Sequence, residues 1–257
     1  MKKILKFQLK DILIGCAVYA LVMFLLTFIL IGIISIVLTS EDVRISLNGN
    51  GFASAIFCLA MGIGIYKEHC QMAVTNSVSR KDFFKSLVCV TMITGLLCTL
   101  IDQILHVINH LPGLNPASNP GFTNNFDLLK ILQMFYPGFF ETHSAAMIAA
   151  TSFLLEFLVN SVLFTIGTLI AGISLRIPKK FRTAYCIALP VFGCGVFPML
   201  SVAAWLHPQS VGWVSNVCLN IMGISSGNPF LGALTFTAAI VIMACICYRV
   251  LRRTDIV

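Results

Sequence analysis

Asp102 and Glu156 interrupt long apolar stretches of the chain, and each belongs to a polar row with helical spacing. Thr91, Gly95, Cys98, Asp102 and His106 fall within about a quarter-turn of one another at roughly 100° per residue. Ser152, Glu156 and Asn160 form a comparable i, i+4, i+8 row. An ionisable side chain inside a membrane span costs several kcal/mol, so such residues face protein or water and mark functional positions by default. Three chemistries fit these rows. Asp102, His106, Glu156 and Asn160 could line a transport pathway. Asp102, His106 and His110 could form an outer metal site with His143 or His207 nearby. Or the polar groups could serve as hydrogen-bonding glue between helices.

The elements that must position these residues follow from composition. Of the 257 residues 58 % are hydrophobic and only 11 % are charged. The mean hydropathy is +0.94. Such a chain is a polytopic, all-α membrane protein. Six apolar blocks read as transmembrane helices, at about 12–38, 52–66, 84–108, 146–174, 184–206 and 229–249, and the second is the shortest. Stretches rich in Gly, Asn, Pro and Ser separate them, as in "TSEDVRISLNGNG" and "NHLPGLNPASNPGFTNN". The fifth block carries Pro190, Gly193, Gly195 and Pro198, which should bend or open its helix. The first block is too long for a signal-peptide core and reads as a retained span.

Fifteen of the seventeen basic residues lie on one side of this plan: Lys2, Lys3, Lys6, Lys10, Lys67, Arg80, Lys81, Lys85, Arg176, Lys179, Lys180, Arg182, Arg249, Arg252 and Arg253. The positive-inside rule then makes both termini and the 67–83 and 175–183 loops cytoplasmic, and leaves 109–145 as an outer loop. Topology thus accounts for the net charge of +7, and no nucleic-acid partner is expected. Residues 1–11 read as an interfacial helix that snorkels its lysines and turns into the first span near Asp11. The amphipathic stretch 126–143 reads as a cap on the outer mouth or a segment resting on the outer leaflet.

Eight of the ten cysteines fall inside predicted spans, so no disulfide framework is expected, and Cys245 and Cys247 point to different helix faces. The chain carries no phosphate loop, zinc pair, nucleophile elbow or dinucleotide fingerprint, so it is expected not to be an enzyme and to contain no cofactor.

One polar stretch stands out from the lipid-soluble blocks: "NSVSRKDFFKS" at 76–86. Ser79 and Asp82 have the spacing of a capping box, which starts a helix at Arg80 and places Phe83 and Phe84 at the membrane interface. The preceding "KEHCQMAVTN" is long enough for about two turns of a separate cytoplasmic helix, a lever rather than a plain connection.

"NSVSRKDFF" resembles the G-x-S-R-[KR]-x-F-F signature of small permease subunits in bacterial type-2 ATP-binding-cassette exporters. The basic ending "YRVLRRTDIV" is similar to theirs. Ser77 stands where that family's pattern has Gly. The resemblance implies a permease in the cytoplasmic membrane that pairs with a second copy or a paralogue to form the pathway. It also implies a separate cytoplasmic ATPase subunit carrying ATP and Mg, contacted through the 67–83 loop. In that family the segment corresponding to His69, Gln71, Met72, Val74 and Asn76 would be the coupling helix, with Ser79, Arg80 and Phe83 fixing its angle to the third span. Two readings from other classes remain open: an ion-coupled secondary transporter using Asp102 and Glu156, and an outer-face metal-binding membrane protein.

Overall fold

The computed structural model describes residues 2–37, 50–109, 133, 135–178, 180–181, 184–185, 213, 216–217 and 219–252. These residues are 90 % helical and contain no strand. The principal elements are α1 (Lys2–Val37), α2 (Asn50–Thr75), α3 (Arg80–Asn109), α4 (Pro137–Thr142), α5 (Ala145–Arg176) and α6 (Pro229–Arg252). Four stretches, Ile4–Ile29, Arg80–Ile108, Ala145–Arg176 and Pro229–Arg252, are long and apolar enough to cross a bilayer, which makes this a membrane-embedded protein. They coincide with the first, third, fourth and sixth apolar blocks. The second block falls within α2, which continues into Lys67, Glu68 and His69. The fifth block lies outside the described residues except for 184–185.

Two expected boundaries are not where polarity suggested. α1 runs as one helix from Lys2 to Val37, so residues 2–11 are not a helix separate from the first span. Thirty-six residues at 1.5 Å each extend about 54 Å, well beyond the ~30 Å hydrocarbon layer. The physical reason is packing: Ile4 and Leu5 contact the bundle's cores, and Gln8 and Ile12 are fully buried. Likewise α2 continues to Thr75, so residues 67–75 are its final turns and not a separate helix. Polar residues change the solvent a helix prefers, but without Gly or Pro they do not break it.

Side-chain contacts fix the helix directions. Ser54 and Cys58 of α2 meet Asn160 and Phe164 of α5, and Tyr66 meets Ala171, so these two helices run parallel. α6 is parallel to both: Ala233 and Ile240 pack near Leu155 to Val162, while Cys247 and Leu251 join Ala171. α1 and α3 run the opposite way. Because α5 and α6 are parallel, Arg176 and Pro229 lie at opposite ends of the bundle.

Among the described helices, α2 and α5 approach backbone to backbone. A Cβ on Gly62 would lie 2.4 Å from the Phe164 carbonyl oxygen, and one on Gly167 would lie 2.3 Å from that of Leu59. Small residues let helix backbones meet in the absence of a hydrophobic drive between spans. Gly62→Leu or Gly167→Leu should therefore force the helices apart and destabilise the protein by about 1–3 kcal/mol, read as a fall in the detergent-solubilised melting temperature.

The α2–α3 turn closes at the end of the bundle that carries Arg252. Val78 N–H donates to Ala73 O (2.9 Å) and Ser77 N–H to Val74 O (3.0 Å), the paired bonds of a Schellman motif. Ser77 takes the left-handed position with φ 53°, and Val78 packs against the core that contains Ala73. Asp82 N–H then donates to Ser79 Oγ (3.1 Å), so the predicted cap starts α3 at Arg80. Left-handed backbone costs an L-residue about 1–2 kcal/mol and glycine little. Ser77→Gly is thus expected to raise stability by roughly 1 kcal/mol and Ser77→Val to lower it, measured by thermal unfolding.

Candidate functional site

The two polar rows face each other inside the bundle. Asp102 and Glu156 are each 5 % exposed and Asn160 is 1 % exposed, so neither acid looks out at lipid. Gln103 Nε2 donates to Glu156 Oε2 at 2.7 Å, and Asn160 Nδ2 donates to Thr99 Oγ1 at 3.2 Å. Ser54 Oγ donates to Asn160 Oδ1 and Tyr19 Oη to Asp102 Oδ1, both at 3.4 Å. One turn along, Gly95 admits Ser161: a Cβ there would lie 2.3 Å from the Ser161 hydroxyl. Tyr19 also stacks on Phe57 with ring centroids 4.4 Å apart. Helices α1, α2, α3 and α5 each contribute a polar side chain to one network.

Helical spacing alone located Asp102, Glu156, Asn160 and Ser152, all of them buried. It missed Tyr19, Ser54, Thr99 and Gln103. Gln103 adjoins the Asp102 row and could have been taken with it. Tyr19 and Ser54 are isolated polar residues in apolar runs, where spacing does not reveal the face.

Two of the candidate metal ligands, His110 and His207, lie outside the described residues. Among the described residues no group of three His, Cys, Asp or Glu side chains could hold a metal ion. Asp102 and His106 share one helix. His143 stacks on Phe139 at 4.1 Å, with Nδ1 2.8 Å from Thr142 Oγ1. The described part of 126–143 packs on the start of α6. Tyr136 Oη donates to Met222 O at 2.7 Å, Phe139 meets Phe230 edge-on, and burial pushes the Tyr136 hydroxyl pKa up.

At the turn end the coupling candidates divide into two sets. Gln71, Met72, Val74, Asn76, Ser79 and Arg80 are exposed. His69 and Phe83 are each 2 % exposed and point inward. His69 Nε2 lies 3.1 Å from Asp11 Oδ2, tying α2 to α1, and its ring meets Phe7 edge-on. Phe83 packs edge-on to Tyr66 within a core of Cys70, Ala73, Leu87, Ala171, Cys247 and Leu251. Burial there pushes the Cys70 thiol up to about 11, so it is a packing group and not a nucleophile. An Arg80 guanidinium N–H donates to Arg252 O, supplying a donor to the C-terminal carbonyls of α6. Cys247 is buried and Cys245 exposed, as their spacing required.

The chain matches no protein-family model, no curated protein and no solved structure.

Asn160 joins α2 to α3 through two side-chain bonds, whereas Thr99 offers it only an acceptor. Asn160→Leu is therefore expected to cost about 1–2 kcal/mol and Thr99→Val less, compared as melting temperatures of the two variants in the same detergent.

Proposed function

We propose that this chain is the membrane-spanning permease subunit of an ATP-driven exporter, with a separate ATPase subunit docked on the α2–α3 turn. The observation that carries the reading is the contrast between the two faces of that turn. Met72 and Val74 are each 44 % exposed at the tip, beside Gln71, Asn76 and Arg80, while His69, Ala73 and Phe83 behind them are packed into the bundle. Apolar groups beyond the bilayer, rimmed by polar ones, fit a protein partner. A push on this tip would pass through the Phe83 core to α3 and through Arg80 to α6. His69 and Phe83 then act as braces behind the docking surface and do not touch the partner.

The membrane plan agrees with this role. Every described Lys and Arg lies toward the turn end, which the positive-inside rule assigns to the cytoplasm of a cell-membrane protein. Helices α5 and α6 are parallel, which supports a further span in the sequence between them, and 184–206 is the apolar run the sequence offers for it. Counting α2, that makes six crossings with both ends inside. The positive φ of Ser77 falls where the exporter pattern has Gly, so the serine adopts the backbone that a glycine would favour. Buried side chains of α1, α2, α3 and α5 pack against one another in one core, and the pathway is assigned to the surface between two permease copies or paralogues. ATP and Mg belong to the ATPase.

Affinity purification of the full-length chain from its own host should bring down a nucleotide-binding subunit. The Met72→Glu, Val74→Glu double variant should lose more than about tenfold of it while melting within about 0.5 kcal/mol of the parent, because both side chains are exposed. Gradient-driven flux through the purified chain alone, without any ATPase, would overturn the reading in favour of an ion-coupled carrier.

A further inference from the structure

Helices α3 and α6 both pack along α5 and meet each other at the turn end, where the Phe84 and Tyr248 rings lie 5.1 Å apart and Arg80 reaches the Arg252 carbonyl. Beyond that meeting a groove opens between them, floored by Thr165 and Thr168 of α5 and rimmed by Val88 and Met92 of α3 and Ala244 of α6. The two threonines are buried, Val88 and Ala244 are half-buried and Met92 is 37 % exposed, so the groove faces outward from the described helices. Its hydroxyl groups are already committed. Thr91 Oγ1 donates to Leu87 O at 2.9 Å, Thr165 Oγ1 to Ser161 O and Thr168 Oγ1 to Thr165 O, the last two at 2.8 Å. A lining whose hydroxyl protons are spent on its own helices suits an apolar guest.

Depth and charge identify the guest. From Phe84 to Met92 the groove follows α3 for eight residues, about 12 Å at 1.5 Å each, close to one leaflet of the ~30 Å hydrocarbon layer. Lys81, Lys85, Val88 and Met92 recur at i, i+4, i+7 and i+11, so one stripe of α3 carries the apolar rim and, at its turn end, two exposed lysines. On α6 the exposed Arg252 stands eight residues beyond Ala244, about 80° round the helix from it. Asp82 falls about 100° from Lys81, off the stripe. Tyr185, in the chain that follows α5, meets the other side of that helix: its Oη donates to Ile170 O at 3.5 Å, and Ile170 lies about 140–160° round α5 from Thr165 and Thr168. An apolar groove one leaflet deep, with cations at its headgroup end, has the polarity of an anionic phospholipid.

We propose that this groove binds an acyl chain of one anionic phospholipid from the leaflet on the turn side, with Lys81 and Lys85 at its headgroup. The chain fills the wedge between α3 and α6, and each lysine contributes about fivefold of preference for negative charge. The site is independent of the exporter reading, because Met72 and Val74 take no part in it.

The test is lipid binding by the full-length protein in detergent, read by native mass spectrometry with phosphatidylglycerol and phosphatidylcholine of identical acyl chains. One phosphatidylglycerol per chain should bind about 25-fold more tightly than phosphatidylcholine. The Lys81→Gln, Lys85→Gln double variant should lose that preference and leave phosphatidylcholine unchanged, while Ala244→Phe should weaken both lipids by filling the groove. If Ala244→Phe fails to fold, phosphatidylglycerol with a photoreactive group in its acyl chain decides: labelling at Val88, Met92 or Ala244 supports the site, and labelling confined to other residues overturns it. Equal binding of the two lipids, or an unchanged preference in the lysine variant, would also overturn it. So would equally tight binding of glycerol phosphate, an anion without acyl chains. Chain-to-chain crosslinks through Met92→Cys that lipid does not displace would do the same, since a second copy would then occupy the groove. The Met72→Glu, Val74→Glu variant should keep its lipid, and loss of the lipid preference with the ATPase still co-purifying would leave the exporter reading standing.

Discussion

The close crossing of α2 on α5 at Gly62 and Gly167 is the constraint on which the rest of the bundle depends. A side chain at either position would strike a backbone carbonyl, so the register of the two helices is set by hard contact. From that register Ser54 falls opposite Asn160, Cys58 beside Phe164, and Tyr66 against Ala171 and Gly172. The polar network and the core at the turn end thus occupy two levels of one rigid pair. Because lipid is as apolar as leucine, the hydrophobic effect does not discriminate between registers inside a bilayer, and steric fit and hydrogen bonds must do so.

The two levels do different work. Near Asp102 and Glu156, polar side chains from four helices share bonds in a water-poor interior, where each donor or acceptor without a partner carries a desolvation cost. Near the turn, contacts are mostly apolar and aromatic, with polar ties at the margins: His69 to Asp11 and Arg80 to the end of α6. Aromatic and aliphatic packing at native density transmits displacement, whereas a polar network responds to charge. One molecule therefore holds a mechanically stiff end and an electrostatically sensitive middle, joined through α2, α3 and α5.

Much of this was legible in the sequence because it depended on periodicity. The Asp102 and Glu156 rows each repeat at helical spacing, and a stripe with charge in it has one place to face in a membrane. The Ser79 cap was legible for a similar reason, since its chemistry is local. Helix boundaries were less so. Lys2 to Lys10 and Lys67 to Gln71 read as changes of element because their polarity changes, but a helix stops for backbone reasons, and none arises before Val37 or Thr75. Tyr19 and Ser54 escaped notice because a single hydroxyl in an apolar run acquires meaning only from the helix that meets it. Ser77 was visible as a departure from a glycine pattern, and only the backbone revealed that it keeps the left-handed angle.

The bond from Arg80 to the carbonyl of Arg252 spans 172 residues of chain and has a consequence for biosynthesis. The α2–α3 hairpin emerges from the ribosome early, but its tie to α6 cannot form until residue 252 has been made. At ~5–20 residues per second that interval is roughly 10–35 s. During it the tip of the hairpin has its own turn and cap but no anchor in α6. The exposed tip and its anchor are thus separated in time, and a chain that stalls before α6 would display the first without the second.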